Sequence, residues 1–194
     1  RDVLADVLDR GPGIFVLAGA FEGDVVDRAS EVFRAIIEQQ HREGRAIGDH
    51  YAKPGANDRV WNAIEKLAVD APDVFVDYYA NDMVALGALA WLGTGYQISS
   101  QVNVVNHGGE AQQPHRDYHL GFMTDDEAEA YPAHAHRLSP MLTLQGAVAH
   151  CDMPVESGPT MYLPFSQQYD LGYLAWRNPD FVGYFDEHRA QLPL

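Results

Sequence analysis

The sequence predicts an α+β protein in which helices precede a β-sandwich or jelly-roll core. Apolar residues recur at the spacing of one helix face through residues 24–40. Residues 81–92, rich in Ala, Leu and Met, predict a second helix. Apolar and polar residues then alternate through residues 96–105 (YQISSQVNVV), as in a half-buried strand. Helices followed by consecutive strands are typical of this class.

Short apolar runs between turn residues predict the remaining strands. They lie at residues 13–19 (GIFVLAG), 141–151 (MLTLQGAVAHC), 160–165 (TMYLPF) and 189–194 (RAQLPL). Residues 124–140 are polar, acidic and contain alanines, which predicts a loop that determines specificity. Short helical pieces are expected within residues 167–187. Because no linker is visible, we predict a single domain over residues 1–194.

Composition excludes several classes of function. The chain has 194 residues, 46% of them hydrophobic, and a formal net charge of −15. Such a charge disfavours binding to nucleic acids and to anionic membranes. It does not exclude an anionic small-molecule substrate, which needs only a local positive pocket. The sequence has no P-loop and no G-x-S-x-G motif. A single cysteine, Cys151, excludes an internal disulfide; we expect it to be buried and the protein to be cytoplasmic.

The segment PHRDYHL, residues 114–120, carries the main candidate for a metal site. On a strand, His115 and Asp117 would project to the same face and could converge on one ion. An imidazole and a carboxylate make up two-thirds of the 2-His-1-carboxylate triad that holds Fe(II). Zinc can use the same atoms, and a polar strand edge would give the same triplet.

Other polar residues are candidates for the same cavity. Gln101 and Asn103 share one face of the strand at residues 96–105, where they would donate hydrogen bonds to a carboxylate or face water. No other histidine is a convincing third ligand: His150 fits a core position, and His134 and His136 are expected to be exposed.

Four segments, in order along the chain, resemble the phytanoyl-CoA dioxygenase family of Fe(II)- and 2-oxoglutarate-dependent oxygenases. PHRDYHL is similar to that family's H-x-D motif with a second histidine two residues later. The upstream QVNVVN and the downstream ESGPTMYLPFSQQ resemble a strand and a segment that flank this motif in the family, and GPGIFVLAGAF resembles its opening strand. Where the family has Gly-Ser-His, this chain has Phe165-Ser166-Gln167.

The resemblance implies a double-stranded β-helix (a jelly-roll, cupin-like core) with N-terminal helices packed on one sheet. It implies a hydroxylase that uses Fe(II), 2-oxoglutarate and O2 and releases succinate and CO2. His115 and Asp117 would bind iron. Their positions on one face of the predicted strands make Gln101, Asn103 and Thr143 candidate contacts of the co-substrate. His119 would contact substrate or a ligand, or pack in the interior. The family's distal histidine ligand and its 2-oxoglutarate-binding arginine match nothing in the sequence, so we expect them beyond Leu194.

Two alternative functions stay open at this point. The same pair of residues could serve a cupin-like metal isomerase or hydrolase. A jelly-roll binding module without catalytic activity would also keep the fold. A histidine and an arginine on a later apolar strand would favour the oxygenase over the binding module.

Overall fold

The computed structural model describes residues 1–45, 48, 53, 55–117, 123–169, 172 and 176–194. These residues form helices and small antiparallel sheets, which confirms the predicted α+β class. The helices are α1 (Asp2–Asp9), α2 (Gly23–Arg42), α3 (Ala63–Asp70), α4 (Pro72–Tyr79), α5 (Asp82–Trp91), α6 (Asp125–Glu129), α7 (Ala133–Arg137), α8 (Ser139–Leu142) and α9 (Pro179–His188). The strands are β1 (Asn57–Val60), β2 (Val102–Val105), β3 (Met161–Tyr162) and β4 (Ala190–Gln191). Val155–Ser157 and Ser166–Gln168 form 3-10 turns.

The chain divides into two compact units. The helical unit comprises Ala18–Val84 and Gln97–Gln113. The terminal unit comprises Arg1–Leu17, Ala85–Tyr96 and Pro114–Leu194. The single domain expected over residues 1–194 stays a prediction. Among the described residues, no helix combines the length and the apolar character that crossing a bilayer requires.

The helical unit is built on the apolar face of α2, which confirms the helix predicted at residues 24–40. Phe33 on this face meets the buried ring of Tyr78 edge-on, with ring centroids 6.5 Å apart. Burial raises the pKa of the Tyr78 phenol well above its ordinary value, so the ring packs as a neutral group. Outside this core, Arg28 donates to Asp77 across 2.8 Å and links α2 to α4.

Strands β1 and β2 form the antiparallel pair of the helical unit. Asn57 lies opposite Val105, and Val60 opposite Val102. Val60 is fully buried, and β1 contacts α2. β2 occupies only the second half of the strand predicted at residues 96–105, so that prediction is confirmed in part.

In the terminal unit, β3 pairs with β4 in antiparallel fashion. Met161 lies opposite Gln191, and Tyr162 opposite Ala190. The C-terminal residue also pairs with Met153. The Met153 N–H donates to the Leu194 carbonyl across 2.7 Å, and the Leu194 N–H donates to the Met153 carbonyl across 3.1 Å. The strands predicted at residues 160–165 and 189–194 are therefore present in shorter form.

Two predicted strands are wrong. Residues 13–19 have no regular secondary structure. The segment 141–151 begins inside α8 and continues without a strand. Apolar runs of this kind do not by periodicity alone distinguish a strand from a segment without regular structure. Within the described residues each sheet has two strands, so the double-stranded β-helix remains a prediction.

The predicted loop at residues 124–140 is largely helical. Helix α6 begins with a reciprocal capping box: Thr124 Oγ1 accepts from the Glu127 N–H, and Glu127 accepts from the Thr124 N–H across 2.8 Å. That backbone hydrogen bond, with a second from the Thr124 hydroxyl, lowers the pKa of Glu127. Alanines in α6 and α7 favour helix continuation. The predicted exposure of His136 is also wrong, because α7 buries this residue.

Leu67 and Val69 on α3 provide a matched test of the core of the helical unit. Leu67 is fully buried, whereas Val69 is 80% exposed. We expect Leu67→Ala to lower the free energy of unfolding by about 2–5 kcal/mol, because it leaves a cavity. Val69→Ala should change it by less than about 0.5 kcal/mol. Urea unfolding of both variants measures the difference, and equal stabilities would contradict the described core.

Candidate functional site

The segment that carries the H-x-D triplet is fixed through its middle residue. The Arg116 guanidinium donates hydrogen bonds to the backbone carbonyls of Ser166 and Tyr169. It also lies against Gly172, where a Cβ atom would overlap the guanidinium. The segment is therefore held against Ser166, Tyr169 and Gly172, although residues 115–117 carry no strand.

The side chains on either side of Arg116 approach each other. His115 Nε2 lies 3.6 Å from Asp117 Oδ1. The His115 side chain is 19% exposed and that of Asp117 is 42% exposed, so the pair sits at the edge of the solvent. Two ligand atoms that each lie about 2.1 Å from one cation can be up to about 4.2 Å apart. The observed separation therefore fits joint ligation of one ion.

The second oxygen of Asp117 has a different neighbour. Gln145 Nε2 donates a hydrogen bond to Asp117 Oδ2, so the two carboxylate oxygens are distinguished. Oδ1 faces the imidazole, and Oδ2 is held by an amide from a segment 28 residues later in the chain. A hydrogen bond of this kind fixes the orientation of a ligating carboxylate. Within the described ranges, no set of three or more His, Cys, Asp and Glu side chains forms a metal site.

Three of the other four predicted site residues lie among the described residues. Thr143 is exposed in the terminal unit, two residues before Gln145. Gln101 and Asn103 belong to the helical unit, where Asn103 Oδ1 accepts from Asn57 Nδ2 across 2.8 Å. His119 lies outside the described residues. The roles assigned to these four residues stay predictions.

A cleft of about 190 Å³ adjoins the pair within the terminal unit. His115 forms part of its wall, and the His115 ring meets the Trp176 ring nearly edge-on at a centroid distance of 6.5 Å. Phe181 and Phe185, one helical turn apart on α9, add aromatic surface. This cleft was not predictable from the sequence, because its residues come from segments far apart in the chain.

Gln167 fixes another wall of the cleft. Its Nε2 donates to the carbonyls of Leu8 and Gly11, at 3.1 and 2.9 Å. A primary amide has two N–H donors, whereas a neutral imidazole has one. This is the position at which the related motif has histidine, so the departure from the motif has a structural explanation. Gly13 has a φ of +80°, and a Cβ there would lie 2.6 Å from the Gln167 amide.

One prediction about Cys151 is wrong: the thiol is exposed rather than buried. Cys151 lies in an irregular stretch at residues 150–152, between the segment after α8 and the 3-10 turn Val155–Ser157. A small apolar side chain is buried only where other elements cover it. The residue type of Cys151 alone therefore could not predict its exposure.

Substitution of Gln167 tests its role in holding the cleft wall. Gln167→Glu removes both donors and places a carboxylate beside two carbonyl oxygens. We expect this variant to lower the free energy of unfolding by about 2 kcal/mol or more. Gln168→Glu is the control, because the Gln168 side chain donates one exposed hydrogen bond, to the Arg10 carbonyl. This substitution should lower the free energy of unfolding by less than about 1 kcal/mol. Equal losses in urea unfolding would contradict the role assigned to Gln167.

Comparison with known proteins agrees with the resemblance of the motifs. The model of the family described as phytanoyl-CoA dioxygenase (PhyH) matches residues 10–193, nearly the whole chain. A comparison with curated proteins found no match, and neither did a comparison with solved structures. The family match includes the H-x-D segment, the wall held by Gln167 and the C-terminal strand. The chain belongs to the phytanoyl-CoA dioxygenase family.

Proposed function

We propose that this chain is an Fe(II)- and 2-oxoglutarate-dependent dioxygenase that hydroxylates a small organic substrate and releases succinate and CO2. Family membership supports an oxygenase. The observation that carries the specific proposal is the 3.6 Å approach of His115 Nε2 to Asp117 Oδ1. The proposal includes the double-stranded β-helix core implied by the resemblance, with which the antiparallel pairs β1–β2 and β3–β4 are compatible.

The donor set suits Fe(II). One imidazole nitrogen and one carboxylate oxygen are ligands of the facial arrangement that leaves positions open for other groups. His115 and Asp117 would hold the ion, and the remaining histidine ligand and the arginine for 2-oxoglutarate are carried over from the family as expectations. Gln101, Asn103 and Thr143 are the proposed contacts of the co-substrate, and His119 is the proposed contact of the substrate.

Iron, 2-oxoglutarate and O2, when bound, would supply the oxidising chemistry that replaces a C–H bond by C–OH. The residues of the chain provide position and charge. Asp117 offsets one of the two positive charges of the cation, while Gln145 keeps Oδ1 directed at His115. His115 must present a deprotonated nitrogen to act as a ligand. A cytoplasmic, reducing environment would keep the metal ferrous and the exposed Cys151 thiol reduced.

Substitution of the two proposed ligands tests the function. We expect His115→Ala and Asp117→Ala each to abolish Fe(II)-dependent conversion of 2-oxoglutarate to succinate, because each removes a ligand from the ion. The measurement is an anaerobic titration with Fe(II) and 2-oxoglutarate, followed by succinate assays with a panel of candidate substrates under air. His107→Ala and Asp152→Ala are matched controls, since both residues are exposed and neither is a proposed ligand.

The outcomes separate the oxygenase from its alternatives. Loss of succinate in the two ligand variants, with activity kept in the controls, supports the proposal. Unchanged succinate formation in either ligand variant contradicts it. Binding of Zn²⁺ without binding of Fe(II) would favour the metal isomerase or hydrolase, and binding of neither would favour the binding module.

A further inference from the structure

The cleft beside His115 is lined by several aromatic side chains that have no role in holding a metal. Among the aromatic rings along its wall are the apolar rings of Phe181 and Phe185, and the indole of Trp176, over which the Arg177 guanidinium lies at 4.3 Å. The ring of Phe181 is stacked on Tyr169 at a centroid distance of 6.1 Å and an interplanar angle of 16°. Tyr169 does not line the cleft, so this contact holds the Phe181 ring from behind.

The cleft offers little to a negative charge. Among the described residues that line it, Arg116 is the one with a permanent charge, and its guanidinium donates to the carbonyls of Ser166 and Tyr169. A carboxylate that entered would lose hydration and would have to compete with these two carbonyls for the N–H donors of Arg116, which is costly. The net charge of −15 adds long-range repulsion.

The size of the cleft limits the group that it can hold. An apolar cavity of about 150 Å³ is large enough for benzene. At about 190 Å³, this cleft has room for one ring with a short substituent, or for an alkyl chain of a few carbons.

We propose that this cleft binds an uncharged apolar part of the substrate, a single ring or a short alkyl group, next to the metal pair. His115 links the cleft to the metal pair, because it belongs both to the cleft wall and to the pair with Asp117. A group held against Trp176 and Phe185 is thereby placed beside the proposed iron. The substrate class rests on the proposed function, but the binding of an apolar group in the cleft does not.

Phe185 and Tyr184 offer a matched pair of variants on α9. Phe185 lines the cleft, whereas Tyr184 does not and is 54% exposed. The probes are benzyl alcohol and benzoate, which have a similar size and differ in charge. Binding to the metal-free full chain is measured by ligand-observed NMR, and the indole N–H signal of Trp176, assigned with Trp176→Phe, reports the location.

We expect benzyl alcohol to bind saturably and to shift the Trp176 signal, with benzoate at least about tenfold weaker. Phe185→Ala should weaken benzyl alcohol about tenfold, and Tyr184→Ala should leave its affinity unchanged. The Trp176 shift in the unsubstituted chain keeps the test decisive if Phe185→Ala does not fold.

Three results would overturn the inference: no saturable binding of benzyl alcohol, equal affinity for benzoate, or a bound probe that leaves Trp176 unperturbed. These assays contain no metal, so they are independent of the iron and succinate measurements. Iron-dependent succinate formation without probe binding would reject the cleft and keep the dioxygenase. Probe binding without iron binding would keep the cleft and reject the dioxygenase.

Discussion

The approach of an imidazole to a carboxylate across one intervening residue is the contact on which the proposed chemistry depends. A regular strand would bring His115 and Asp117 to one face, but residues 115–117 carry no strand. Tertiary contacts accompany their approach instead. Arg116 donates to the carbonyls of Ser166 and Tyr169, and Gln145 donates to Oδ2 of Asp117. The triplet thus has a defined geometry without ladder hydrogen bonds.

The same part of the terminal unit joins the pair to a place for a ligand. Gln167 ties the last turn of α1 and the residues after it to the 3-10 turn Ser166–Gln168, which also carries the carbonyl of Ser166 that Arg116 contacts. One short turn therefore fixes both a wall of the cleft and the segment with the proposed ligands. This coupling gives a physical reason for a glutamine here, because the two carbonyls of Leu8 and Gly11 require two donors.

The sequence predicted long, strongly periodic elements well and short ones poorly. The periodicity of α2 extends over several turns, so its position followed directly from the spacing of apolar residues. The runs at residues 13–19 and 141–151 have no such pattern over several turns, and most of residues 141–147 are exposed in the structure. Helix α6 was missed although Thr124 and Glu127 have the spacing of a capping box, which is a signal visible in the sequence. The H-x-D pair was predictable because its members are neighbours in the chain. Gln145 and Gln167 were not assigned these roles, because their partners lie 28 and 156 or more residues away.

The central claim, that His115 and Asp117 hold one divalent cation, is tested most directly by titrating Mn²⁺ into the isotope-labelled chain and following paramagnetic line broadening by NMR. Mn²⁺ takes nitrogen and oxygen ligands, as Fe(II) does, and is stable in air. We predict that the first signals to broaden are those of His115, Asp117 and Gln145, at metal concentrations that leave the acidic first turn of α6 unaffected. Broadening that begins at Asp125–Glu129, or that spreads evenly over the acidic surface while His115 stays sharp, would contradict the account.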